Sequence, residues 1–162
     1  MSRRHKDIGA HMESLAPFHP RLVHFPIALS LAGVLFIFLG ALAPRLKAGW
    51  GQPDFWGRYG RLSLVLGWLG VLAAVASGLI DQAKAPVTPQ ITQAINQHIT
   101  AGVALLVALG LALYWPLRDK TLWSERHHFW AYLVLLALVA GLVGLEAWLG
   151  GKLVYQYGVG VH

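Results

Sequence analysis

There is no cysteine among the 162 residues. That excludes disulfides, thiolate metal centres, iron–sulfur clusters and thioether-attached haem together. Any metal must then be held by histidine, carboxylate or a neutral oxygen. Charge is nearly as scarce. Charged residues make up 12% of the chain, against roughly 25% in an ordinary soluble domain, too few to clothe a water-facing surface. No glycine-rich phosphate loop, no nucleophile elbow around a serine and no His-Glu-x-x-His zinc helix occurs. The formal charge of +6 does not point to nucleic acid. The basic residues sit in short clusters between long apolar runs, with no basic face interleaved with aromatics.

What the chain does have is apolar length. Hydrophobic residues make up 56%, and they gather in four stretches at roughly 22–42, 62–80, 99–117 and 129–149. Each is close to the roughly 20 residues that a helix needs to cross about 30 Å of hydrocarbon. Backbone groups in lipid must bond one another, so stretches this long are helices. The expected fold is an all-α membrane protein, a bundle of four transmembrane helices with short loops and a non-helical C-terminal tail. Residues 1–11 read as a leader or expression tag, with Gly9-Ala10-His11-Met12 at its junction, and residues 12–162 as one domain.

Local signals mark the ends. Ala43-Pro44 closes the first stretch, Thr88-Pro89 opens the third as an N-cap with proline behind it, and Pro116 closes that helix. Gly150-Gly151 is the expected stop of the fourth, followed by a tail with Tyr155 and Tyr157 over the bundle mouth. Ala104, Ala108 and Ala112 on the third helix, and Ala140 and Gly144 on the fourth, form stripes that suit close helix packing in lipid.

The loops after helices one and three carry seven basic residues: Arg45, Lys47, Arg58, Arg61, Arg118, Lys120 and Arg126. The other side has Arg21, Lys84 and Lys152 once the leader is set aside. The positive-inside rule then places both loops in the cytoplasm and both termini outside.

With four spans, helices one and three begin where two and four end. That gathers His19, His24, Asp81, His98 and Glu146 toward one face, with Tyr155 beyond them. Polar groups at such depth are costly and often functional. His24 and His98 begin helices one and three, so their imidazoles are expected at a common depth, where they could clasp a b-type haem iron or a smaller metal. His19, Asp81, Glu146 and Tyr155 would orient the imidazoles or carry protons. The plain alternative is a set of interfacial histidines bonded to water or carbonyls.

These residues also carry a resemblance. The opening His19-Pro20-Arg21-Leu22-Val23-His24-Phe25-Pro26, then Gly78-Leu79-Ile80-Asp81, the isolated His98, and Gly150-Gly151 with Leu153-Val154-Tyr155 and Gly158 resemble the bacterial membrane family named domain of unknown function 2231. Its related domains are joined to cytochrome c or Rieske-type modules. The resemblance therefore implies an inner-membrane electron carrier or redox subunit rather than a stand-alone enzyme, with a quinone or a cytochrome or Rieske-type protein as partner. The rival expectations are a histidine/carboxylate site for binding or transport of a transition metal, and a non-catalytic membrane subunit of a redox complex.

Overall fold

The computed structural model describes residues 22–44, 53–82 and 88–159. Among these residues are four α-helices: α1 (His24–Leu42), α2 (Pro53–Gln82), α3 (Pro89–Arg118) and α4 (Arg126–Tyr155). All four are long and apolar enough to cross a membrane. The 1–11 leader and His19 lie outside the described residues. The helices form a closed ring in which each packs on its chain neighbours and α1 packs on α4, while the backbones of the diagonal pairs α1 with α3 and α2 with α4 do not approach closely. Consecutive helices run antiparallel, so the start of α1 and the end of α4 share one end of the bundle.

The core is a column of apolar side chains, with Leu64, Leu109, Leu136 and Val139 fully buried. Leucines and valines such as Leu35, Val107 and Leu138 are more than half exposed on the outer face. That is the surface lipid requires, because hydrocarbon outside the bundle is as apolar as the side chains inside it. Lipid therefore provides little hydrophobic drive between helices, and close backbone approach has to supply it.

Close approach occurs mainly between α1 and α2. A Cβ on Gly33 would lie 2.8 Å from the Leu64 side chain, one on Gly60 2.6 Å from Ile37, and one on Gly67 2.6 Å from the Ser30 hydroxyl. These positions run 30, 33, 37 along α1 and 60, 64, 67 along α2, the i+3/i+4 spacing of one helix face. The stripes expected on α3 and α4 do not play this part: Ala104 and Gly144 are exposed, and nothing lies within 4 Å of a Cβ at Gly144. Ala112 is buried as a stripe residue should be. Small residues permit close packing, but the partner helix determines which of them are used.

The helices outrun their apolar stretches. At about 1.5 Å per residue, the 30-residue α2, α3 and α4 reach about 45 Å, beyond a hydrocarbon layer of about 30 Å. The 19-residue α1 only just spans it. Thr88 caps α3 as expected, its hydroxyl accepting from the Ile91 N–H at 3.4 Å. Pro116 does not end α3, which runs two residues further to Arg118. Pro26 falls in the first turn of α1, where its missing N–H removes no helical bond.

The expected stop at Gly150-Gly151 is also corrected: α4 continues to Tyr155, and the tail is non-helical only from there. Helical hydrogen bonds keep glycine in register where the flanking residues are helical. The reversal comes later, at Gly158 with φ 64°, which lets the Val159 N–H bond the Leu153 carbonyl at 2.9 Å. Val159 and Tyr157 then cover Leu153, Ala94 and Ile95. Tyr155 instead points away and is 92% exposed, because helical geometry turns it outward from the face that Leu153 buries.

At the opposite end, the loop joining α3 to α4 is tied by Asp119. Its carboxylate accepts from the Thr121 hydroxyl at 2.7 Å, the Thr121 N–H at 2.9 Å and the Trp115 indole at 3.2 Å. It also meets His128 Nδ1 at 2.8 Å. These donors, the Thr121 hydroxyl foremost, hold the Asp119 carboxyl below the usual carboxylate range against a smaller opposing effect of burial. His128 therefore fastens a loop.

Candidate functional site

Helices α3 and α4, each long and apolar enough to cross a membrane, bring two polar side chains together. His98 Nδ1 forms an ion pair with Glu146 Oε2, and the two side chains are 21% and 12% exposed. His98 is nine residues into α3 and Glu146 nine residues before the end of α4. Antiparallel packing puts them level.

Two glycines seat the pair. A Cβ on Gly102 would come 2.5 Å from Glu146 Oε1, and one on Gly150 would come 3.3 Å from His98 Cε1. Gly102 follows His98 by four residues and Gly150 follows Glu146 by four. Each polar side chain thus leans on the bare backbone of the opposite helix, one turn from its partner. The reciprocal spacing was visible in the sequence, but only the pairing of α3 with α4 gives it meaning.

The contact has a definite chemistry. Where Nδ1 carries the proton, it donates to the carboxylate. With Nδ1 as the donor, the neutral imidazole carries its lone pair on Nε2, the tautomer in which histidine ligates a metal through that nitrogen. With Nε2 also protonated, the pair is an imidazolium and a carboxylate. One proton more or less therefore changes the charge of the pair.

The remaining expected residues are not brought into this pair. Pro26 lies against Gly70 of α2, whereas Gly102 lies near Val75. Following each antiparallel register outward places His24 level with Leu72 and His98 level with Leu79. The seven intervening residues rise about 10 Å along a helix. His24 is exposed and stands on the helix diagonal to α3. The common depth expected for the two histidines is thus corrected, because α1 begins lower in the bundle than α3. Asp81 is in the last turn of α2, with a side chain outside the described part, and Tyr155 faces outward. Among the described residues no group of three or more His, Asp or Glu side chains could hold a bare metal ion.

One polar anchor of the bundle was missed. Trp68, in the middle of α2 rather than at a membrane boundary, donates its indole N–H to the Leu106 carbonyl at 3.1 Å. Its central position was the available signal, since a buried indole needs a partner.

The chain matches a family model described as a predicted membrane protein (DUF2231) over residues 15–162. It belongs to that family. The match spans all four helices of this DUF2231 member and both members of the His98–Glu146 pair. No curated protein and no solved structure matches the chain.

Proposed function

We propose that this multi-pass membrane protein is an electron-transfer subunit of the bacterial inner membrane, holding b-type haem toward an extracytoplasmic end through His98. The observation that carries this reading is the His98–Glu146 pair. A carboxylate on Nδ1 fixes the ring and its tautomer, as it does for metal-bound histidines generally. The donor set fits haem better than a bare ion. Porphyrin brings four nitrogens of its own and asks for one or two from the protein, whereas a bare ion needs a cluster that the described residues do not assemble. Haem held here would supply one-electron chemistry, with a quinone or a cytochrome or Rieske-type protein as the exchange partner.

Within this reading His98 is the ligand and Glu146 holds its tautomer, while Gly102 and Gly150 keep both in place. His24 or His19 is the second ligand. His24 is the first choice, and His19, which precedes it in the chain, is its replacement.

The test is visible absorption of protein purified gently from haem-replete cells. A Soret band is expected, lost in His98→Ala and weakened in Glu146→Gln, with His128→Ala unchanged. His24→Ala and His19→Ala then identify the opposing ligand. Wild-type protein without a Soret band would sink the proposal. The same pair supports a second reading, a cofactor-free proton-transfer site, because an imidazole and a carboxylate meet there. That reading expects no Soret band and a pH-dependent carboxylate vibration that disappears in Glu146→Gln.

A further inference from the structure

The opposite end of the bundle holds a cavity of about 510 Å³ between the end of α1 and the starts of α2 and α4. That is within the usual range for small-molecule sites, about 300–1,000 Å³. Its walls are two kinds of surface. Ile37, Ala41 and Tyr132 line it but are almost fully buried, whereas Trp123, Arg58 and Arg61 line it and are exposed. Both arginines are exposed, and neither has a carboxylate partner among the described residues, whose ion pairs are His98–Glu146 and His128–Asp119. Arg61 turns its Nε–H to the Gly57 carbonyl at 3.4 Å. Asp54 also lines the space, but it sits in the first turn of α2, where the positive end of the helix dipole offsets its charge.

We propose that this cavity binds an anionic membrane phospholipid, with its phosphate between Arg58 and Arg61 and the start of an acyl chain against the half-exposed Trp123. A planar guanidinium suits a phosphate through paired hydrogen bonds. Two of them, one turn apart on α2, face the same opening. The exposed Trp123 ring beside the arginines distinguishes the site from a simple basic patch. A free anion would leave that ring wet, whereas an amphiphile covers it along with the arginines. The loops of this end are also the basic ones, which favours the leaflet that carries anionic lipid. The proposal is independent of the haem reading, since it concerns other residues at the other end.

The experiment is native mass spectrometry of the full chain in detergent, with phosphatidylglycerol, phosphatidylcholine or inorganic phosphate added. Two arginines near a membrane surface contribute about 1 kcal/mol each, so retention of phosphatidylglycerol over phosphatidylcholine should be about ten-fold or more. The preference should collapse in Arg58→Gln/Arg61→Gln and return only in part in Arg58→Lys/Arg61→Lys, which keeps the charge but not the paired hydrogen bonds. It should survive in Arg118→Gln/Arg126→Gln, which removes two charges from the same end but outside the cavity. Equal retention of the two lipids would overturn the proposal. So would an equal loss in the Arg118/Arg126 variant, which would indicate only a general basic field. Displacement of the lipid by millimolar inorganic phosphate would likewise overturn it in favour of a free-anion site.

Discussion

Adding one methyl group at Gly102 tests the seat of the polar pair directly. The new Cβ would lie 2.5 Å from Glu146 Oε1, about 0.9 Å inside ordinary contact. The nearest neighbour after the carboxylate is Val75 at 3.7 Å, so the strain falls almost wholly on Glu146. A carboxylate can swing aside, but doing so lengthens its bond to His98. Hydrogen bonds to charged groups contribute about 1.5–3 kcal/mol. Replacing glycine by alanine in a helix returns about 0.8–1.0 kcal/mol. The net expectation for Gly102→Ala is therefore a loss of about 1 kcal/mol, read as unfolding in detergent by heat or by increasing SDS. A double-mutant cycle separates this from any general effect on α3. In Glu146→Ala the clash is absent, and Gly102→Ala should then be neutral or stabilising, with a coupling of about 1–2 kcal/mol. An equal loss in both backgrounds, or a stabilised single variant, would refute the assigned geometry.

Gly67→Ala should be costlier, by about 1–3 kcal/mol, because its Cβ would meet the Ser30 hydroxyl at 2.6 Å and the Ser30 backbone nitrogen at 3.1 Å. Gly141→Ala, with nothing within 4 Å, should stabilise by up to about 1 kcal/mol in the same assay. The α3–α4 loop should be sensitive to acid. Because the Asp119 carboxyl is held below its ordinary value of 3.8, its contribution is fully present above that pH and is lost as pH falls through the lowered value. Hydrogen exchange at the Thr121 amide should therefore be steady from neutral pH down to about 4 after correction for intrinsic rate, then lose protection. Asp119→Asn should lower protection at neutral pH and abolish the acid step.

The four helices could be read from composition alone because lipid leaves the backbone no alternative. With 12% charged residues and four apolar stretches of spanning length, helices are the economical way to satisfy every N–H and C=O. The cap at Thr88 was equally legible, since capping is a local exchange between one side chain and the first turn. Packing was not. Gly33, Gly60 and Gly67 carry the tightest interface while Gly144 stands open, and no property of an isolated glycine distinguishes them. Which small residue matters is set by the helix opposite it. The sequence placed His98 and Glu146 at the same end of the bundle, yet their ion pair required α3 and α4 to be neighbours in a particular register. The same register offsets His24 from His98 by about 10 Å along the bundle axis. Depth estimated from each apolar stretch alone cannot include the relative slide of two diagonal helices. Local chemistry and the bilayer determined the elements and their number. Only contacts between helices decided which polar residues meet.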